Sequence, residues 1–199
     1  MSMLRAFIAI KIPTEIQQSI QQQTATLRQS LGGDVVRWVA PQNVHLTLKF
    51  LGDVSVSNVE NVKQMLMVEA GQLPPFDISV GGLGCFPNAR RARVIWIGVQ
   101  APTAVETLQH AIETASARLG YASEERSFSP HLTIGRVSQR ANGGDIQKIR
   151  AGLENVTVGE LGGARVDAVH LYKSDLQPTG AIYTCLFSAP LGGEFTSTR

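Results

Sequence analysis

Short apolar runs separated by amphipathic stretches set the order of elements along this chain. Residues 4–10 are almost continuously apolar and predict a strand. Thr14 and Gln17 have the spacing of a capping box, which predicts a Gln-rich helix from there to about Leu31, closed by Gly32-Gly33. Strands follow at 35–39 and 45–50, divided by the turn Pro41-Gln42-Asn43. Ser57 with Glu60 repeats the capping pattern ahead of a helical stripe of Val59, Val62, Leu66 and Met67. After Pro74-Pro75 a long strand is predicted over 76–86, where glycines at 81, 82 and 84 indicate a bulge or bend. A strand at 93–99 leads past Pro102, suited to a first helical position, into a helix over 103–119 with apolar residues at 105, 108, 112, 115 and 119. Gly120 stops that helix. Beyond a strand at 131–134, a polar loop at 141–144, a short helix at 146–153 and strands at 165–172 and 181–187 complete the reading, and the tail after Leu191 is expected to fray. Several neighbouring strands are joined by hairpin-length turns, so the expectation is an α+β fold rich in antiparallel pairs.

Two strands carry the same pattern: His45-Leu46-Thr47-Leu48 and His131-Leu132-Thr133-Ile134. Side chains alternate across a strand, so each copy puts an imidazole and a hydroxyl on one face and two apolar side chains on the other. The surroundings repeat as well. The strand-like run at 5–10 is matched by 93–98, and each run is followed by a proline, a helix, a loop and a His-x-Thr strand. Arg93 follows Arg5 by 88 positions and His131 follows His45 by 86. That order and spacing indicate an internal duplication. The expected architecture is one bilobal domain over 1–199: two pseudo-symmetric lobes of antiparallel-rich sheet, helices outside, and a central cleft receiving both motifs.

Hydrophobic residues make up 43% of the 199, enough for an ordinary core, and the net charge is only +2. That balance suits a small anion or one end of an RNA better than a long duplex. The two cysteines lack Cys-x-x-Cys spacing and are expected to be reduced and partly buried. The apolar run at 6–10 is too short for a signal core or a membrane span, so a soluble, cytoplasmic protein is expected, and with nothing in the sequence marking an oligomer interface, a monomer.

Opening a phosphodiester needs one proton taken from water and one delivered to the leaving oxygen. Histidine, with an ordinary pKa of about 6.5, can serve either step near neutrality. Thr47 and Thr133 share the faces of His45 and His131 and can donate to non-bridging phosphate oxygens. A catalytic zinc takes three protein ligands where each motif supplies one, and there is no His-Glu-x-x-His, Gly-x-Ser-x-Gly or Gly-x-x-x-x-Gly-Lys pattern. No metal and no cofactor are expected.

The chain resembles the two-histidine (2H) phosphoesterases, in detail the bacterial and archaeal RNA 2′,3′-cyclic phosphodiesterases once described as 2′-5′ RNA ligases. The resemblance is carried by residues 4–10, Arg37-Trp38-Val39, the run from Asn43 to Gly52, Gly82-Leu83-Gly84-Cys85-Phe86-Pro87, and Arg93 to Trp96. Phe128-Ser129-Pro130 with the second motif through Gly135-Arg136, and Leu171 to Ser174 with Gly180, extend it over nearly the whole chain. Gly135 stands where small residues such as alanine are common. The resemblance implies hydrolysis of terminal RNA 2′,3′-cyclic phosphates to 2′-phosphates without a metal, with His45 as proton donor and His131 as proton acceptor. Run backwards with roles exchanged, the same pair would join RNA ends through a 2′-5′ bond. RNA carrying such ends, tRNA-like fragments among them, is the implied partner.

Around this centre, Phe128 could stack on the terminal base or simply pack in the core. Arg136 could hold the phosphate, but strict alternation puts it opposite His131's face unless a bulge falls near Gly135. Lys49 is expected on the His45 face. Arg37, Arg90, Arg91 and Arg93 are read as solvated charge that could widen a positive rim. His110 is expected to be exposed, His170 to lie away from the site, and Trp38 and Trp96 to be core. Two alternatives stay open: a phosphodiesterase acting on a small cyclic nucleotide or an ADP-ribose cyclic phosphate, and a nucleotide- or RNA-binding module without turnover.

Overall fold

The computed structural model describes residues 2–177 and 180–192, so most of the tail beyond Leu191 falls outside the described residues. Among the described residues there are nine strands and five α-helices. In order they are β1 (Met3–Lys11), α1 (Thr14–Gln23), α2 (Ala25–Val35), β2 (Val36–Trp38), β3 (His45–Ser55), α3 (Val59–Gly71) and β4 (Phe76–Phe86). There follow β5 (Val94–Gln100), α4 (Thr103–Arg118), β6 (His131–Val137), α5 (Gly143–Asn155), β7 (Glu160–Val166), β8 (Ala168–Gln177) and β9 (Gly180–Pro190). All strands join one sheet in the order β7-β4-β5-β6-β3-β1-β8-β9, with β2 also paired to β6. Every ladder is antiparallel, as the hairpin-length turns require.

The order is symmetric about the central β6–β3 pair. β1 flanks β3 as β5 flanks β6, which matches the repeat of 5–10 by 93–98. The next strands are exchanged: β4, from the first half of the sequence, lies beside β5, and β8, from the second half, lies beside β1. The apolar undersides of the central strands form the core, where Ile8, Ile10, Leu46, Ile95, Ile97 and Leu132 are buried to within 1% of full enclosure. The helices add their apolar stripes to this core, among them Val62 and Leu66 of α3 and Val105, Leu108 and Ile112 of α4.

Several local expectations are corrected. The helix expected over 14–31 is two, broken at Thr24, whose Oγ1 donates to the Ile20 carbonyl (2.7 Å) and accepts from Arg28 Nε (3.0 Å). Neither predicted capping box forms. Gln17 is buried and donates instead to the Val44 carbonyl (3.3 Å), while Ser57 pairs with Ser55 across a 3₁₀ turn. The capping box that does form joins Asn142 and Asp145 at the start of α5, inside the stretch read as a loop. The strand expected over 165–172 is split at Asp167 into β7 and β8, which lie on opposite sides of the sheet. The glycine-rich bend in β4 is present as a register shift between Gly81 and Leu83, with Gly82 at φ +77°.

Candidate active site

β3 and β6 meet at one ladder pair, Leu46 opposite Leu132. Antiparallel pairing around that point sets His45 opposite Thr133 and Thr47 opposite His131, all four on the face away from the core. The two imidazoles are held alike. His45 Nδ1 donates to the carbonyl of Asn43, and His131 Nδ1 to that of Ser129, each at 2.7 Å. The same i−2 bond fixes both rings in the tautomer that leaves Nε2 free. Asn43 is itself anchored, its side-chain amide donating to the Ala181 carbonyl of β9 (2.7 Å).

A bulge follows each motif. β6 shifts register against β5 between Thr133 and Gly135, and β3 shifts against β1 between Thr47 and Lys49. Ile134 and Gly135 are consecutive buried residues, as are Leu48 and Lys49. The extra residue turns the next side chains over, so Arg136 returns to the face of His131 and Phe50 to that of His45. The bulge that Arg136 needed is therefore there, and its guanidinium is close enough to help lower the pKa of His45. Gly135 is required by the same packing: a Cβ there would come within 2.7 Å of Val36 Cγ1. Lys49 moves the other way. Expected on the His45 face, it is 4% exposed on the underside, bonded to Glu113 of α4 and to the Ala122 carbonyl.

The two histidines differ in surroundings. Phe7 stacks on His45 at 4.7 Å between centroids, Tyr172 stacks behind Phe7 at 5.3 Å, and Tyr183 meets the His45 ring edge-on at 5.3 Å. Burial in this cage, with a smaller push from Arg136 and against the bond to Asn43, lowers the His45 pKa to about 4. His131 has, among the described residues, one aromatic neighbour, Phe86, edge-on at 4.9 Å. The unfolded chain protonates His45 near pH 6.5 and the folded protein only near pH 4. We therefore predict that this residue removes about 3 kcal/mol of stability as pH falls across that window. Denaturant titrations at pH 7 and pH 4 measure the loss; in His45→Gln this contribution disappears, and an unchanged difference would refute the burial account.

A cavity of about 420 Å³ opens beside His45, lined by Phe7, Lys11, Tyr172, Tyr183 and Ser188 among others. His170, expected away from the site, faces it with Nδ1 2.8 Å from Ser188 Oγ. Burial raises the Tyr172 pKa to about 12, keeping that phenol protonated. Phe128 lies half-buried against the core three residues before His131, and His110 is exposed. Arg37, Arg90, Arg91 and Arg93 are exposed too. Trp96 is not a core residue: it lies opposite Thr133 on the site face, across Gly84 and against Phe86 (5.3 Å). Trp38 is half-buried beneath Arg28. Cys85 is half-buried but Cys185, expected to be partly buried, is exposed at the cavity. Among the described residues no three His, Cys, Asp or Glu side chains cluster as a metal site. Phe7, Tyr172 and Tyr183 were given no role from sequence, although each lies in a predicted strand and Phe7 and Tyr172 fall within runs that carry the family resemblance.

Two imidazoles with free Nε2 atoms, two hydroxyls and a guanidinium share one face of a pseudo-symmetric sheet, an arrangement chemically able to take and give protons at a phosphoester. Comparison with known proteins gives the family. A family model described as LigT-like phosphoesterase matches residues 10–96 and again 97–183, and the chain belongs to that family. It is 35% identical over 181 residues to the RNA 2′,3′-cyclic phosphodiesterase of Methanothermobacter thermautotrophicus, covering 91% of this chain and 95% of that one. To the Aquifex aeolicus protein of the same name it is 31% identical over 195 residues, covering 97% and 100%. The solved structure of Escherichia coli LigT complexed with 3′-AMP superposes with a TM-score of 0.75 at 27% identity, covering 96% of this chain and 100% of that chain.

Proposed function

We propose that this phosphoesterase hydrolyses the terminal 2′,3′-cyclic phosphate of RNA to a 2′-phosphate. The observation that carries the reading is the pair of imidazoles tied through Nδ1, on one face with two threonines and Arg136. Relatives of similar length, named for this activity, support it. His131 takes a proton from water, the water oxygen bonds to phosphorus, the bond from phosphorus to O3′ breaks, and His45 delivers its proton to O3′. Burial keeps His45 neutral in the free protein, and the arriving phosphate anion favours its charged form, so the donated proton is taken up with the substrate. Thr47, Thr133 and Arg136 hold the non-bridging oxygens, and Phe128 is the candidate for stacking on the terminal base. By microscopic reversibility the same groups would catalyse 2′-5′ joining of RNA ends.

Among the described residues no helix is long and apolar enough to cross a membrane. We place the enzyme in the cytoplasm as a monomer acting on RNA fragments, tRNA-derived ones included. The test is incubation of purified protein with a short RNA ending in a 2′,3′-cyclic phosphate, with and without EDTA. EDTA-resistant formation of a 2′-phosphate end is expected. Binding without conversion would overturn the assignment in favour of a binding module.

A further inference from the structure

Where β3 turns away from β6, β2 takes its place. Trp38, Arg37 and Val36 pair with Gly135, Arg136 and Val137, and the Val39 amide donates to the Ile134 carbonyl (2.9 Å). β2 and the start of β3 thus lie end to end along β6, interrupted by the Pro41–Asn43 turn. Directly paired residues of an antiparallel ladder project to the same face, so Arg37 shares the face of Arg136 and of the two histidines. Two like charges opposite one another destabilise a ladder. Both side chains are exposed, and among the described residues neither forms an ion pair. Both are arginines, whose planar fork fits phosphate oxygens. Arg136 lies two ladder steps beyond Thr133, near enough for its long side chain to reach back to the same phosphate. Arg37 lies directly across the ladder from Arg136, about 5 Å between Cα atoms, so the two forks can meet neighbouring phosphates of one strand.

We propose that Arg37 forms a second anion subsite, which takes the phosphodiester next to the terminal cyclic phosphate while Arg136 serves the terminal one. The substrate class is then an oligoribonucleotide rather than a mononucleoside cyclic phosphate. This rests on the phosphodiesterase reading above and adds a preference to it. It also gives the Arg37–Arg136 repulsion a function: an RNA strand lying along β2 and β6 neutralises both charges at once.

The test compares kcat/KM for a trinucleotide ending in a 2′,3′-cyclic phosphate with that for cytidine 2′,3′-cyclic phosphate, in wild type, Arg37→Gln, Arg37→Lys and, as a control on the far end of α4, Arg118→Gln. Arg37→Gln is expected to lower the trinucleotide-to-mononucleoside ratio about tenfold, mainly through KM, as loss of one charge-assisted contact should. It should also flatten the slope of log kcat/KM against log salt for the trinucleotide by about 0.7. Arg37→Lys should restore part of both, and Arg118→Gln should change neither. Equal losses on the two substrates, or none on either, would overturn the subsite while leaving the phosphodiesterase reading intact. A wild-type protein inactive on both substrates would overturn that reading and the subsite with it.

Discussion

Replacing His131 with alanine is expected to slow turnover of a cyclic-phosphate RNA end by at least two orders of magnitude, and His45→Ala to do the same. A positioned acid or base contributes on the order of 10²–10⁴ in rate. The rings are interchangeable in how they are held, each by a 2.7 Å bond to the carbonyl two residues back. Neither can cover for the other, because one proton must arrive while another leaves. The double variant should lose far less than the product of the single losses, as members of one catalytic unit do. Steady-state rates on the same RNA, with melting curves confirming that each variant folds, decide the matter. A near-wild-type rate in either single variant would remove the two-histidine mechanism.

The largest effect on stability is expected at Lys49. Its ammonium is almost fully enclosed, and Glu113 accepts from it, from the Glu124 amide (2.8 Å) and from Gln109 (3.5 Å). Lys49→Ala strands the Glu113 carboxylate, and breaking a buried pair from one side costs about 3–5 kcal/mol. In a domain of this size that lowers Tm by about 10 °C. The volume-matched double variant Lys49→Met with Glu113→Leu should lose much less, since a well-packed apolar pair of similar size replaces such a bridge at little cost. A calorimetric scan of the three proteins measures this; a single variant within 2 °C of wild type would show that the pair holds nothing. The same contacts tie the first motif's strand to the segment 122–124, which leads on to Ser129 and hence to His131.

Lys49 also marks where reading the sequence stopped working. The chemistry was legible because a period of two is a local rule: His45 with Thr47, and His131 with Thr133, share a face whatever surrounds them. One residue beyond each threonine the rule fails, because a bulge depends on the partner strand. Alternation counted through Leu48 put Lys49 in the cleft and would have put Arg136 outside it. Only the requirement that a cation reach the phosphate suggested the break near Gly135. The aromatic cage around His45 was invisible for a related reason. Phe7, Tyr172 and Tyr183 come from three strands, and the pairing that brings Phe7 beside Tyr172 joins positions 7 and 172, from opposite ends of the chain, while Tyr183 arrives on the hairpin partner of that strand. The capping boxes at Thr14 and Ser57 failed where a tertiary contact or a 3₁₀ turn outbid a local pattern, as Gln17 shows by bonding to Val44.

The exchange of β4 and β8 has a further consequence. The chain reads as two matched halves, yet neither half contains every strand of one side of the sheet. A fragment ending before β5 would present β1 without β8 and β4 without either neighbour, leaving bare hydrogen-bonding edges open to any passing strand. Repetition in the sequence therefore does not make the halves interchangeable parts. They hold together as an interlocked pair, and the cleft proposed for catalysis lies at the β3–β6 seam between them.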